Sequence, residues 1–186
     1  MTHDVYTLPA DLPVPVDDGA ADHLLGTMLP QLTLESSRGP VSMRELGREL
    51  LALYVYPRAG RPGRPSPPGW DDIPGARGCT PQSCAFRDHA AELAELGASV
   101  AGLSAQTLDD QLEFAERNHI PYPVIADPER RLGGSLRLPT FDVAGETLYK
   151  RITLVVEGCA IAKVFYPVFP PDKNAGEVVA WLRGRA

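Results

Sequence analysis

Apolar residues in this chain fall into short runs whose spacing changes from one segment to the next. Leu50-Leu51-Ala52-Leu53-Tyr54-Val55-Tyr56 is unbroken and stops at Pro57. A run of that length predicts a strand buried on both faces, in the middle of a sheet covered by helices. Ser99-Val100-Ala101-Gly102-Leu103 predicts a second buried strand, and Pro123-Val124-Ile125-Ala126 a short third one. Leu32-Thr33-Leu34-Glu35 alternates as a half-buried strand does and runs into turn residues at Ser36-Ser37-Arg38-Gly39-Pro40. Arg151-Ile152-Thr153-Leu154-Val155-Val156 and Ala160-Ile161-Ala162-Lys163-Val164-Phe165 flank Glu157-Gly158-Cys159, which predicts a hairpin.

Between these runs the pattern turns helical. Ser42 with Glu45 is a capping box for a helix near Met43 to Leu51. Thr80-Pro81 reads as an N-cap followed by proline at the first helical position. Phe86, Ala90, Leu93 and Ala94 continue it as an apolar stripe, and Gly97 offers a C-cap. Thr107 with Asp110 caps a helix running through Leu112 and Ala115 to about Asn118. Asn174 with Glu177 caps a last one carrying Val178, Val179, Trp181 and Leu182. Strands and helices alternate, then a hairpin follows, then a helix. The expected class is α/β in one domain, without internal repeats.

Two segments lack a period. Residues 1–22, with Pro9, Pro13, Pro15, Asp17 and Asp18, have little to bury and are expected to form a flexible arm ahead of a domain at 23–186. Arg58 to Gly78 is rich in Gly and Pro, and seven of the 19 prolines lie between Pro57 and Pro81. Structureless segments of this length are uncommon inside compact domains and tend to be functional. Trp70 within it reads either as a lid or as an anchor packed on the domain.

Composition narrows the function classes. A chain of 186 residues holds one domain and a short extension. A net charge of −6 gives no electrostatic reason to expect nucleic acid or an anionic membrane as partner. No apolar run approaches the roughly 20 residues of a membrane helix. Met1 to Val16 has neither a basic start nor an apolar stretch, so it does not read as a secretory signal. A cytoplasmic location is expected. Three cysteines are too few, and odd in number, for a secreted disulfide framework. His3, His23, His89 and His119 are scattered, so no metal site is expected, and no phosphate-binding glycine loop is present.

The remaining chemistry sits at Cys79 and Cys84, four residues apart in the intervening sequence, at the end of the proline-rich segment. A free thiol has a pKa of about 8.5 and is a weak nucleophile at neutral pH. A helix start and the preceding Arg58, Arg61, Arg64 and Arg77 would favour the thiolate at Cys79. Its place after a buried strand puts it at the sheet edge where α/β folds hold their sites, and exposure is expected there. A small buried hydrophobe is the alternative reading. If both cysteines were helical, their Cα atoms would stand about 8–9 Å apart, beyond the roughly 7 Å that a disulfide allows. Such a pair suits a bond that forms and breaks. Cys159, at the hairpin turn, has no partner at a motif spacing.

Cys79-Thr80-Pro81-Gln82-Ser83-Cys84-Ala85-Phe86-Arg87-Asp88 resembles the active-site segment of peroxiredoxins of the Q type, also called bacterioferritin comigratory proteins. Leu53-Tyr54-Val55-Tyr56-Pro57, Gly102-Leu103-Ser104, Phe114-Ala115-Glu116, Pro121-Tyr122-Pro123-Val124-Ile125-Ala126-Asp127-Pro128 and Arg151-Ile152-Thr153-Leu154 resemble further segments of that family in the same order. The resemblance implies a thioredoxin-like fold, with a central mixed sheet flanked by helices, and reduction of hydrogen peroxide and organic hydroperoxides. By it, Cys79 is the peroxidatic cysteine, Cys84 the resolving cysteine of an intramolecular disulfide, and Arg151 the active-site arginine. It also implies recycling by thioredoxin or a similar dithiol, no metal or organic cofactor, and a monomer or homodimer. A protein thiol–disulfide oxidoreductase and a non-catalytic thioredoxin-like binding module are the alternatives. The family signature places Pro seven residues and Thr or Ser three residues before the peroxidatic cysteine. Here Asp72 and Ala76 stand there, with Pro57 displaced by an insertion at 58–76. No hydroxyl is available at position 76 to orient a peroxide.

Overall fold

The computed structural model describes residues 4–185. Its elements follow the chain as β1 (Thr33–Ser36), β2 (Val41–Ser42), α1 (Met43–Leu46), β3 (Leu50–Val55), α2 (Cys79–Asp88), α3 (Ala90–Glu95), β4 (Ala98–Ser104), α4 (Leu108–Arg117) and β5 (Val124–Ala126). Then come α5 (Arg131–Leu136), β6 (Thr140–Val143), β7 (Glu146–Tyr149), β8 (Ile152–Glu157), β9 (Ala160–Phe165) and α6 (Asn174–Arg183). A seven-stranded mixed sheet has the order β2-β1-β5-β4-β3-β8-β9, with β6 and β7 as a separate hairpin. β3, β4 and β5 run parallel, and β8 pairs antiparallel with β3.

The unbroken apolar run of β3 becomes intelligible in this setting, because successive side chains enter opposite cores. Leu51, Leu53 and Val55 face a core shared with Met43 of α1 and Leu132 and Leu136 of α5. Ala52, Tyr54 and the following Tyr56 face another, shared with Phe86 of α2, Phe114 of α4 and Val178 and Leu182 of α6. A run apolar at every position is what a central strand between two helical layers needs.

Several boundaries shift from the sequence expectation. The helix after Ser42 ends at Leu46, since Leu50 already pairs with Ala98 in the sheet. The stripe from Phe86 to Leu93 is split at His89, which closes α2 and opens α3. α5 and the β6–β7 hairpin were not foreseen. They lie in a stretch of short, mixed patterns, and α5 is held by Asp127, whose carboxylate accepts from the Arg131, Leu132 and Gly133 amides.

The arm expected to be flexible makes defined contacts from Asp4 onward. Asp4 O accepts from Arg77, Tyr6 OH from Arg117, and the Asp18 carboxylate from both Lys150 and Tyr166. Those last two hydrogen bonds hold the Asp18 carboxyl well below the usual carboxylate range. No helix among the described residues is long and apolar enough to cross a membrane.

Candidate active site

β3 delivers the chain to the parallel sheet's C-terminal edge, and residues 58–78 then carry it back to the start of α2. Gly78 precedes that helix with φ +103, and a Cβ there would collide with Pro171 and with Leu8 of the arm. Glycine is therefore required on both conformational and steric grounds. This residue, not Thr80, is the N-cap: the helix begins at Cys79, and Thr80 lies within its first turn.

Cys79 was expected to be exposed, and it is not: the residue is 3% exposed. The arm, the 58–78 segment and Pro171 close over the helix start, and access is by a narrow cleft whose walls include Val5, Arg58, Trp70, Arg77 and Thr80. Trp70 both anchors and lines. It is buried against Ala76 and Leu148, with Phe141 beside it. Ser66 of the insertion also reaches the cleft. A larger apolar hollow of about 300 Å³ lies behind Gly75 and Arg151, but Cys79 is not among the residues lining it.

Arg151 stands one residue before β8 and is 3% exposed. Its Nη2 donates to the Cys79 sulfur at 3.2 Å and to the carbonyls of Ala76 and Arg77 at 3.0 and 3.1 Å. Nε reaches Gly75 O at 3.2 Å, and Nη1 reaches Gln82 Oε1 at 2.5 Å. A buried cation is costly unless paired. Of the atoms receiving these bonds, only the sulfur can take up a negative charge. The thiol itself points to Ala76 O at 3.7 Å.

Behind the guanidinium lies a polar network that sequence reading missed. Gln82 and Asn174 are fully buried, and Gln82 Nε2 donates to Asn174 Oδ1 at 3.1 Å. The same oxygen accepts from Thr153 Oγ1 at 2.6 Å, while Asn174 Nδ2 reaches Glu177 at 3.3 Å. Asn174 is thus the first residue of α6 with its side chain turned to the site, not the N-cap the sequence suggested. The available signal was a polar pair, Gln82 on the apolar side of α2 and Asn174 before an apolar stripe.

Cys84 shares α2 with Cys79, and both are free thiols. Cys84 is half-buried, with Sγ 3.9 Å from Asn118 Oδ1. Burial pushes its thiol up from the ordinary value, opposed by Arg87 and Arg117 and reinforced by Asp88. Cys159 lies elsewhere, buried at the β8–β9 turn with its thiol on Arg44 O. Among the described residues no group of three or more His, Cys, Asp or Glu is placed to hold a metal ion, and His3 lies outside them.

The arrangement is a buried thiol at a helix start, an arginine on its sulfur and a second thiol on the same helix. The AhpC/TSA family model matches residues 73–161, a span that contains all three. Peroxiredoxin Q of Gentiana triflora is 29% identical over 182 residues, covering 94% of this chain and 76% of that protein. Peroxiredoxin Q of Sedum lineare is 28% identical over 160 residues, covering 85% of this chain and 77% of that protein. The solved structure of peroxidoxin BcpB from Mycobacterium tuberculosis superposes with a TM-score of 0.70 at 26% identity, over 87% of this chain and 97% of that one. The fold, the thiol site and these relatives agree: the chain is similar to the Q-type peroxiredoxins of the AhpC/TSA family, and that similarity supports a thiol-dependent peroxidase.

Proposed function

We propose that Cys79 is the peroxidatic cysteine and Cys84 the resolving one of an atypical two-cysteine, thioredoxin-dependent enzyme. The observation that carries this reading is the Arg151 guanidinium on the Cys79 sulfur, 3.2 Å away at the start of α2. The Cys79 thiolate attacks one peroxide oxygen, the S–O bond forms as the O–O bond breaks, and the leaving oxygen departs as alkoxide or hydroxide and takes a proton. The sulfur is now a sulfenic acid. Cys84 attacks that sulfur, the S–S bond forms, and water leaves. Two electrons from an external dithiol of the thioredoxin type then reduce the disulfide. Hydrogen peroxide and small organic hydroperoxides are the substrates, and every group named comes from one chain, so a monomer or a homodimer serves equally. A cytoplasmic location belongs to the same reading, because a reducing compartment keeps these thiols free.

Peroxide consumption with a thioredoxin system, run beside insulin reduction, tests it. Peroxide loss without insulin reduction, abolished by Cys79→Ser, is the expected result. Insulin reduction alone would indicate a protein disulfide oxidoreductase, and activity retained in Cys79→Ser would remove Cys79 from the peroxidatic role.

A further inference from the structure

We propose that Thr80 is a further catalytic residue of the peroxide step, its hydroxyl holding the bound peroxide at Cys79 in the place a hydroxyl at position 76 would otherwise take. The inference rests on the peroxidase reading of Cys79.

Breaking the O–O bond moves negative charge onto the leaving oxygen, so donors aimed at that oxygen determine the rate. Arg151 is heavily committed. Nε and Nη1 are engaged by Gly75 O and Gln82, and Nη2 is shared among two carbonyls and the sulfur. The Cys79 and Thr80 amides at the helix start have no acceptor among the described residues, and both residues line the same cleft. One side-chain donor is still needed beside them.

The hydroxyls nearby can be taken in turn. Position 76 has none, and its methyl is fully buried against Trp70 and Leu148. Tyr54 OH is bonded to Tyr122 OH, and Tyr56 OH to Gln111. Ser83 Oγ is sealed in the interior without a partner among the described residues and does not line the cleft. Ser66 does line it, but is exposed on the insertion, where water competes for its hydroxyl. Thr80 differs from all of these. The residue is 2% exposed, it lines the cleft directly after Cys79, and its hydroxyl has no hydrogen-bond partner among the described residues. It is also not among the side-chain oxygens sealed from solvent, so what remains open to it is the cleft. A hydroxyl held this way is preorganised and undersatisfied until a polar ligand enters.

In the step, the Cys79 thiolate attacks the near oxygen and is oxidised to the sulfenic acid while the O–O bond breaks and the peroxide is reduced. Thr80 O–H donates to the leaving oxygen, which finally takes its proton from water, so the hydroxyl is not consumed.

The test is the second-order rate of Cys79 oxidation by hydrogen peroxide, measured beside alkylation of the same thiol by iodoacetamide. Alkylation needs the thiolate but no bound peroxide. Thr80→Val should slow oxidation by about 10²-fold, as loss of one preorganised donor does, with alkylation unchanged. Thr80→Ser should recover most of the rate, and Thr80→Ala, which cannot overfill the site, should match Thr80→Val. Oxidation of Thr80→Val and Thr80→Ala at the unsubstituted rate would overturn the proposal while leaving the peroxidase reading intact. So would an equal fall in oxidation and alkylation, which would place the effect on the thiol. An unsubstituted chain that does not react with peroxide would overturn both.

Discussion

Gln82 Oε1 accepts a hydrogen bond from Arg151 Nη1 at 2.5 Å, so the arginine facing the Cys79 sulfur is held by the helix that carries that sulfur. The two halves of the site are thereby coupled. While α2 is wound, Gln82 fixes the guanidinium, and Asn174 fixes Gln82 from the start of α6. When α2 opens, the thiol and the anchor of its arginine leave together.

Replacing Gln82 by leucine tests the anchor. Arg151 Nη1 and Asn174 Oδ1 each lose a buried partner, which should lower stability by about 1–3 kcal/mol. The variant should remain folded but oxidise at Cys79 roughly tenfold more slowly, because the donor is less well placed. Measuring the rate on folded protein only, after a thermal melt, separates the two effects. A destabilised variant with the unsubstituted oxidation rate would make Gln82 purely structural.

The cysteine pair makes a second prediction. Both residues lie in α2, and ideal helix geometry sets their Cα atoms about 8–9 Å apart against a limit of roughly 7 Å for a disulfide. Peptide mapping after one equivalent of peroxide should recover a Cys79–Cys84 link, and amide protection between Thr80 and Arg87 should fall on oxidation. A dominant Cys79–Cys159 or intermolecular bond would contradict the resolving role of Cys84. Unchanged protection would mean that the bond forms without unwinding.

Burial raises the Cys84 thiol above its ordinary range, which gives the proposed resolving step a pH dependence. The wound helix binds the Cys84 proton more tightly than the opened helix does, so this contribution to helix stability is whole below the ordinary thiol pKa. It is lost as pH rises from there through the higher folded value. Opening also restores the ordinary pKa, near 8.5. Disulfide formation should therefore accelerate as pH rises from 7 to 9, with exchange in α2, corrected for its intrinsic rate, rising in parallel. Cys84→Ser should remove the second trend. A flat exchange profile in the unsubstituted protein would disconnect Cys84 from the opening.

Much of this was legible in the residues. The β3 run announced a central strand because each of its positions meets a core, and Thr107 announced α4 because its hydroxyl accepts the Asp110 amide as a cap should. Cys79 and Arg151, singled out from separate segments of a familiar pattern, do meet in space, with Cys84 on the same helix as Cys79. What escaped depends on distance in space. Gln82 and Asn174 are 92 positions apart and meet only because α2 packs on α6. The burial of Cys79 escaped too, since a helix start after a loop looks exposed until the arm and Pro171 are laid across it. Thr80 was legible as a capping residue and was displaced from that role by Gly78, whose left-handed φ begins the helix two residues earlier.

Position 76 allows the sharpest test of how this site differs from the family pattern. A missing hydroxyl would suggest that Ala76→Thr should quicken the enzyme. The packing argues the opposite. Ala76 is fully buried in a cluster with Trp70 and Leu148, and its carbonyl accepts from both Arg151 and the Cys79 thiol. Two added heavy atoms must displace the indole or move that carbonyl, and overpacking of this kind typically costs about 1–3 kcal/mol. Any shift of the carbonyl also moves the guanidinium it helps to hold. Ala76→Thr should therefore melt lower and oxidise no faster than the unsubstituted protein, while Ala76→Ser, with one added atom, should fall between. The check is a thermal melt paired with the second-order rate of Cys79 oxidation. A clear rate increase in Ala76→Thr at unchanged stability would mean that the donor position stands empty, with room beside Trp70 for the side chain that the family pattern carries.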